Sequence, residues 1–521
     1  MNAVQGMSRL MSGIVVLAAL ALAAAGCTTA TSTQEPAGES VTTRAYEIVP
    51  CPSPNVAGAP SLDFPTGTVC GYLSVPEDRA KPDGRMIKVF AARVPSRSPN
   101  PQPDPVVWLA GGPGGAGSFQ AAQLTEQGLN ADRDVIFFDQ RGTHHSQPRL
   151  SCPEYEDYDA KAISLPFSAP STTAGDVAAV RACRDRLTAA GWDLSAYNTA
   201  ENSADIADLR VAMGIDQWNV YGVSYGTKLA LSLLRDHPLG IRSMVLDSVS
   251  PPANNIAQTW WQAPASSFAA IFAACAAQPA CAAAYPNLQA DFFGTVNRLT
   301  TTPLVVQSED PYSGGPLTVT VDGFSLAYAV IQASERGDAA GVPKMITETA
   351  RGGSDEVVAA LLALQGSPDF AGLAGDALAF SVFCGEHADL TTEDAALATA
   401  KAALPQFPDQ VLRLQPKQGR LFAECPAWDV QPRPAASAPT RSDRPVLIIE
   451  GRFDAATAPQ WVDIVRPGLP RSQYVEFPFT GHSVLGRSEC AMTITTAFLD
   501  DPDRPVDGTC AAAQTLTFTT G

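Results

Sequence analysis

The sequence predicts an α/β fold: a mostly parallel sheet flanked by helices and interrupted by an inserted, mainly helical cap. The main observation is a series of short apolar runs, each followed by a loop containing Gly, Asp or Ser. These runs alternate with helix-like segments, which is typical of buried parallel strands connected by helices. The predicted strands are Pro105–Leu109, Asp134–Phe138, Trp218–Tyr221, Ser243–Leu246, Pro445–Glu450 and Gln473–Phe477.

A change from strand-like to helical spacing of the apolar residues marks the predicted cap. The segment 253–437 is rich in Ala, Leu and Phe at helical spacing and has one strand-like stretch around Leu317–Val321. Strand-like runs resume after it. We therefore expect the sheet to be built from two core segments, 46–252 and 438–521, with the cap inserted between them.

Two alternating stretches precede the parallel strands. Thr68–Val75 and Met86–Val94 are separated by a segment rich in Pro, Asp and Gly, which predicts a β-hairpin.

The amino terminus has the features of a targeting segment. Arg9 is followed by an apolar run, Leu10–Ala25, that is short for a membrane span. The run ends before Cys27 in a sequence that resembles the bacterial lipobox, so residues 1–26 are predicted to be a lipoprotein signal peptide. An ordinary secretory signal is the alternative interpretation. Residues 27–45 are rich in Thr and Ser and predict a tether, so we expect an exported protein, lipid-anchored through Cys27 to the membrane of the cell envelope.

Composition limits the partners and the metal chemistry. With 35 basic and 53 acidic residues the net charge is −18, which argues against a nucleic-acid surface. Of 11 cysteines, ten remain after Cys27 is set aside, an even number that suits disulfides in an oxidising compartment. Zinc is disfavoured because no Cys-x-x-Cys pair occurs, and we expect no metal. The suggested neighbour pairs are Cys51–Cys70, Cys152–Cys183, Cys275–Cys281, Cys384–Cys425 and Cys490–Cys510.

The motif Gly-x-Ser-x-Gly around Ser224 is the strongest functional signal. It follows a predicted strand and precedes a helix-like run, so its glycines, Gly222 and Gly226, would permit a sharp strand-to-helix turn. Such a turn exposes the serine hydroxyl, as a nucleophile requires.

A serine nucleophile needs a base and an orienting acid. Of the five histidines, His482 alone follows the last strand of the sheet. Asp454 lies in a loop after the preceding strand, giving the chain order Ser224, Asp454, His482. Asp247, at the end of another strand, is the competing acid, with a structural hydrogen bond as its alternative role.

Oxyanion stabilisation needs two converging backbone N–H donors. Tyr225 N–H, next to Ser224, is one candidate. The second is expected in the glycine-rich loop 111–117, where a phosphate-binding role is disfavoured because the P-loop pattern is absent and Pro113 lacks a donor.

The chain contains three motifs, which are Gly111-Gly112-Pro113-Gly114-Gly115, Asp139-Gln140-Arg141-Gly142 and Gly222-Val223-Ser224-Tyr225-Gly226. Taken together, they resemble those of the proline iminopeptidase-like α/β-hydrolases. The segment Tyr221–Thr227, the lipobox-like leader and the paired cysteines are most similar to the secreted actinobacterial tripeptidyl-aminopeptidase branch. The resemblance covers roughly Cys51–Pro252 and Arg444–Cys510, and Ala110 departs from the histidine that many iminopeptidases have before the glycines.

This resemblance implies Ser224, Asp454 and His482 as the catalytic triad, with Gly112 and Tyr225 as oxyanion donors. It implies a serine aminopeptidase without a cofactor that releases short peptides (tripeptides) or single residues from the N-termini of peptides or proteins. An esterase or lipase with the same triad is one alternative. A catalytically idle hydrolase fold that acts as a binding lipoprotein is the other.

The sequence also suggests roles for three other groups of residues. Glu386 is a candidate for binding the substrate's free amine, on chemistry alone; a surface carboxylate beside a disulfide is the alternative. Asp139 and Arg141 are expected to form a buried ion pair or to brace the loop beside the oxyanion site. Trp260 and Trp261 are expected in the core of the cap, with a dedicated aromatic subsite as the alternative.

Overall fold

The computed structural model describes residues 45–53, 63–365, 375–416 and 419–520. The predicted signal peptide, Cys27 and all but the last residue of the predicted tether lie outside the described residues. Among the residues that are described, no helix combines the length and the apolar character needed to cross a membrane.

A nine-stranded, mostly parallel sheet forms the centre of the fold, in the order β1-β2-β3-β5-β4-β6-β7-β10-β11. The strands β4 to β7, β10 and β11 are mutually parallel, whereas β1, β2 and β3 join antiparallel at one edge. The strands are β1 Tyr46–Val49, β2 Val69–Pro76, β3 Met86–Val94, β4 Val106–Leu109, β5 Val135–Asp139, β6 Trp218–Val223, β7 Ile241–Asp247, β8 Leu304–Glu309, β9 Pro316–Val321, β10 Val446–Gly451 and β11 Ser472–Phe477. The predicted fold class, hairpin and parallel strands are confirmed.

Helices cover both faces of the sheet, which explains why its central strands are apolar along their whole length. Every residue of β4, β5, β6 and β10 is buried. The helices are α1 Ala121–Glu126, α2 Pro153–Ala162, α3 Pro170–Ala189, α4 Thr199–Ala212, α5 Tyr225–Asp236, α6 Ile256–Thr259, α7 Gln262–Ala277, α8 Pro279–Ala284, α9 Leu288–Thr301, α10 Gly323–Arg336, α11 Val342–Ala350, α12 Asp355–Leu362, α13 Asp376–Glu386, α14 Glu393–Ala403, α15 Asp409–Leu412, α16 Leu421–Trp428, α17 Val462–Val465, α18 Glu489–Asp500 and α19 Thr509–Ala512.

The chain between β7 and β10 is mainly helical and carries the two-stranded sheet β8-β9. Its helices divide between two hydrophobic clusters. Helices α7, α9, α10 and α11 contribute to a cluster that contains Trp261, Phe292 and Phe324, together with Phe453 and Phe518 from the chain after the insertion. Helices α13 and α16 instead contribute Phe380 and Trp428 to the cluster that covers one face of the central sheet. The inserted segment is therefore joined to the core by packing as well as by the chain.

Five disulfides form between neighbouring cysteines, in the pairing suggested by their order. The Cys384–Cys425 bond links α13 to α16, and the Cys490–Cys510 bond links α18 to α19. Each bond shortens the loops that the unfolded chain can explore, which is the main source of disulfide stabilisation.

Reduction is expected to lower the melting temperature markedly, because each disulfide typically contributes about 2–4 kcal/mol. The measurement is thermal unfolding followed by circular dichroism with and without reductant. Alkylation of the non-reduced, denatured protein followed by peptide mass mapping is the control. Alkylated thiols at any of these ten cysteines in protein from an oxidising compartment would contradict the pairing.

Candidate functional site

Ser224 occupies a strained turn between β6 and α5. Its backbone has φ 57° and ψ −126°, a conformation that is costly for a residue with a side chain. The flanking glycines are required by close packing: a Cβ on Gly222 would lie 2.4 Å from the Gly226 oxygen, and one on Gly226 would lie 2.0 Å from the Leu109 oxygen. The predicted strand-to-helix turn is therefore present and places Ser224 at the carboxyl end of β6.

Asp454 and His482 are hydrogen-bonded to each other. The Asp454 Oδ2 to His482 Nδ1 distance is 2.7 Å, and the Asp454 side chain is fully buried in the loop after β10. Burial opposes ionisation of this carboxyl, but the His482 charge and hydrogen bonds from His482 and Thr457 outweigh it and lower the pKa of Asp454. The carboxylate is thus held ionised beside the imidazole.

Thr457 is a member of this group that the sequence reasoning missed. Its hydroxyl donates to Asp454 Oδ2 at 2.7 Å and lies 3.4 Å from His482 Nδ1. The backbone N–H groups of Ala456 and Thr457 both donate to Asp454 Oδ1 at 2.8 Å. Every oxygen of the carboxylate is therefore oriented by a specific donor. The sequence signal was the Asp-x-x-Thr spacing, which allows a side chain to bond its own loop.

Asp247 does not share the role of Asp454. Its carboxylate accepts hydrogen bonds from the backbone N–H groups of Val484 and Leu485 at 2.8 and 3.0 Å and from the Tyr221 hydroxyl at 2.8 Å. Burial raises the pKa of the Asp247 carboxyl against the effect of these hydrogen bonds. Asp247 therefore braces the loop that follows His482, which is its alternative structural role.

Ser224 lies in a cavity, and the glycine-rich loop 111–117 passes close to it. A Cβ on Gly111 would be 2.7 Å from the Ser224 Cβ and 3.2 Å from its Oγ, so this loop touches the serine only because it lacks a side chain there. The adjoining Gly112 has φ 114°. The cavity is lined by Gly112, Pro113, Ser224, Tyr225, Ser250, Ile256, Trp260, Val382, Phe383, His387, Ala456 and Thr457. The structure thus brings both predicted oxyanion donors, Gly112 and Tyr225, to the cavity of Ser224.

Glu386 is buried and bonded by protein donors. Its carboxylate is 2.9 Å from Lys228 Nζ and accepts hydrogen bonds from the Thr199 N–H at 2.8 Å and the Thr199 hydroxyl at 2.7 Å. The alternative expectation of a surface position is wrong, because the amino-terminal end of α4 and the inward-facing Lys228 of α5 enclose the side chain. The ammonium that Glu386 pairs with is that of Lys228.

His387 is a second residue at the cavity that the sequence reasoning missed. Its Nε2 lies 2.8 Å from Lys228 Nζ, and the ring lines the Ser224 cavity. Burial, together with the charge of Lys228, holds the pKa of His387 well below its usual range, so the ring is neutral. No sequence pattern signals this residue, because its partner Lys228 lies on another helix.

Asp139 and Arg141 do not pair with each other. Arg141 is fully buried and makes a two-pronged ion pair with Asp205, with both N–O distances 2.8 Å. Asp139 accepts hydrogen bonds from the N–H and hydroxyl of Ser118, each at 2.9 Å, and contacts His145. The expected loop brace is present, but each residue has its own partner.

Trp260 and Trp261 face different surroundings. Trp261 packs in the cluster of the inserted helices, as expected, and its indole N–H donates to the Leu412 and Leu414 carbonyls. Trp260 instead packs with the core cluster, lies 5.3 Å from the Phe383 ring and lines the Ser224 cavity. The expectation of a cap-core position is therefore wrong for Trp260, because adjacent helical residues point in different directions.

Comparison with known proteins agrees with this fold. A family model described as the alpha/beta hydrolase fold matches residues 104–486. The chain is 31% identical over 216 residues to a tripeptidyl aminopeptidase of Streptomyces lividans, covering 39% of each chain. It is 28% identical over 253 residues to the serine protease Hip1 of Mycobacterium tuberculosis, covering 46% of each chain. A probable proline iminopeptidase of Streptomyces coelicolor is 29% identical over 155 residues, or 30% of this chain and 36% of the relative. These alignments span less than half the length of each relative.

Removing either member of the Lys228–Glu386 pair is expected to destabilise the fold strongly. Both side chains are fully buried, and a buried charge left without its partner typically costs about 3–5 kcal/mol. Lys228→Met and Glu386→Gln should each show this loss in urea unfolding, whereas the double variant should lose less than the sum of the two.

The partly exposed pair Lys344–Glu356 supplies the control for that experiment. Its N–O distance is 2.8 Å, and Lys344→Met is expected to cost little stability because solvent screens the pair. Equal losses for Lys228→Met and Lys344→Met would contradict the importance of the buried pair.

Proposed function

Because the chain belongs to the α/β-hydrolase family, we propose that it is an exported, lipid-anchored serine hydrolase that cleaves peptides from their amino termini. One observation carries the proposal: the strained Ser224 shares a cavity with Gly112, Tyr225 and Thr457, and Thr457 contacts the Asp454–His482 pair. These are the parts that acyl transfer requires.

In the proposed mechanism the Ser224 Oγ attacks the scissile carbonyl while His482 takes its proton. Asp454 holds the imidazole through Nδ1, which leaves Nε2 for the reaction, and stabilises the imidazolium that forms. The backbone N–H groups of Gly112 and Tyr225 stabilise the oxyanion. His482 then gives the proton to the leaving amine, and water hydrolyses the acyl-enzyme by the reverse sequence.

The surroundings of Ser224 support a substrate that enters by one end. Trp260 from the insertion, together with Val382 and Phe383 of α13, lines the cavity, and Ser224 itself is only 9% exposed. A roofed cavity admits a chain terminus more readily than the middle of a folded protein. The name tripeptidyl aminopeptidase of one relative points to cleavage from an amino terminus, and the name serine protease of another points to cleavage of peptide bonds.

An extracytoplasmic location is consistent with the five disulfides, which persist in oxidising compartments. Anchoring by a lipid on Cys27 is part of the proposal and rests on the lipobox-like sequence. The membrane and the amino termini of peptides or proteins are the proposed partners.

Acetylating the amino terminus of a short chromogenic peptide is expected to lower kcat/KM by at least about tenfold, equivalent to roughly 1.4 kcal/mol, if an aminopeptidase recognises the free amine. The comparison uses purified protein and matched free and acetylated peptides.

Ser224→Ala is the control. This variant should lose turnover by on the order of 10⁴- to 10⁶-fold and should no longer be labelled by a fluorophosphonate. Equal cleavage of both peptides would indicate an endopeptidase, and hydrolysis of esters alone would indicate an esterase.

Two aspartates should respond differently to the same substitution. Asp454→Asn is expected to lower kcat by roughly 10⁴-fold because the amide favours the wrong imidazole tautomer. Asp247→Asn should lower stability more than rate, since its carboxylate bonds the backbone of the loop after His482. Steady-state kinetics and urea unfolding of both variants test the assignment, and the opposite pattern would make Asp247 the triad acid.

A further inference from the structure

We propose that a second cavity, between α2 and α10, binds an organic ammonium group through the carboxylate of Asp159. We call it the α2–α10 cavity; its principal lining side chains are Tyr155, Asp159, Phe167, Phe324 and Tyr328. Its volume is about 160 Å³. A cavity of about 150 Å³ accommodates benzene in an engineered protein, so the space suffices for one small residue or amine.

Asp159 is the only acidic side chain that lines this cavity within the described part of the chain. It is exposed to solvent, and among the described residues it makes neither a hydrogen bond nor an ion pair. The nearby cation, Arg420, has other partners. It forms an ion pair with Asp176, donates a hydrogen bond to the Phe167 carbonyl at 2.6 Å and lies 3.9 Å above the Phe167 ring. The Asp159 carboxylate is therefore available to a ligand.

The charge balance around Asp159 favours a cationic ligand. Although residue Asp159 as a whole reaches solvent, the protein packed around its carboxyl raises the pKa of that group, and the charge of Arg420 only partly offsets this effect. A positive group bound in the cavity would stabilise the ionised form, whereas an anion would be repelled. The net charge of −18 adds a field of the same sign.

Aromatic rings supply the other walls of the α2–α10 cavity. Phe167 stacks on Phe324 with ring centroids 4.5 Å apart, and Phe324 stacks on Tyr328 at 5.9 Å. The Phe167 ring is covered by Phe324 and by the Arg420 guanidinium, so the stacked rings serve as apolar walls. A carboxylate among apolar walls suits an organic ammonium better than a hydrated metal ion, which needs several oxygen ligands.

Two helices connect this cavity with the surroundings of Ser224. On α13, Phe380 packs against Tyr155 at 5.3 Å, and Phe383, one turn later, lines the Ser224 cavity. The far end of α10 contacts the loop before His482, since a Cβ on Gly481 would lie 1.9 Å from the Ser334 carbonyl oxygen.

The spacing along α10 suits the amino end of a short peptide. At about 1.5 Å per residue, Tyr328 and Ser334 are separated by roughly 9 Å along the helix axis. Three extended residues span about 10 Å. The cavity and the loop before His482 are thus separated along α10 by about the length of a tripeptide. We take the α-ammonium of a peptide substrate as the ligand of Asp159, and this choice rests on the proposed function. A lysine side chain is the other source of the same chemistry.

Calorimetric titration tests the site without relying on turnover. In a Ser224→Ala background, the probes are trialanine amide, N-acetyl-trialanine amide and Nα-acetyl-lysine amide. We expect the free-amine peptide to bind at least about tenfold more tightly than its acetylated form, and Asp159→Asn to abolish the difference. Asp157→Asn, on an exposed residue of the same helix that does not line the cavity, is the matched control and should keep it.

The outcomes separate the two proposals. Tighter binding of the acetyl-lysine probe that depends on Asp159 would support the site with a side chain as the source. Equal binding of all probes, or a preference that survives Asp159→Asn, would overturn the ammonium site. Fluorophosphonate labelling of the protein with Ser224 intact tests the hydrolase proposal separately. Labelling without an Asp159-dependent binding preference would contradict only the ammonium site. An Asp159-dependent preference without labelling would contradict only the serine hydrolase.

Discussion

The strained turn at Ser224 is the constraint on which the rest of the site depends. The turn places α5 so close to β4 that a Cβ on Gly226 would lie 2.0 Å from the Leu109 oxygen. The same closeness brings Gly111 against the serine from the loop after β4. Ser224, the proposed nucleophile, and the proposed oxyanion loop are thus neighbours because β4 and β6 are adjacent parallel strands. The unfavourable backbone of one residue is maintained by the packing of the whole sheet.

Three buried carboxylates at the carboxyl edge of the sheet show how one chemical group acquires separate roles. Asp454 receives four hydrogen bonds or charged contacts and stays ionised, Asp247 bonds the backbone of the His482 loop, and Glu450 accepts from the Val249 N–H at 2.6 Å. Burial, reinforced by the charge of Asp454, raises the pKa of Glu450 well above its usual range. A neutral Glu450 avoids a further negative charge next to the Asp454–His482 pair.

The sequence revealed what depends on local patterns. Buried strands are continuous apolar runs, so β4, β5, β6, β10 and the largely buried β7 could be recognised. Strand β11 was recognised from its run Gln473–Phe477, although only two of its residues are buried. The cysteine order suggested the pairing that forms. The edge strand β1, Tyr46–Val49, was missed because it is short and two of its four residues are exposed. His387 and the pairing of Glu386 with Lys228 were missed because their partners lie about 160 residues away in the chain. Long-range electrostatic contacts leave no periodic signal.

The inserted segment contacts the site through two of its helices, α13 and α10. Helix α13 is linked to α5, the helix that follows Ser224, by the Lys228–Glu386 pair and to α16 by a disulfide, and its residue Phe383 lines the Ser224 cavity. Helix α10 belongs to the other large cluster of the insertion, and its carboxyl end touches Gly481 beside His482. The insertion therefore contacts both the cavity of Ser224 and the loop that carries His482. In the proposed function, the insertion would select the substrate while the sheet holds the groups that cleave the bond.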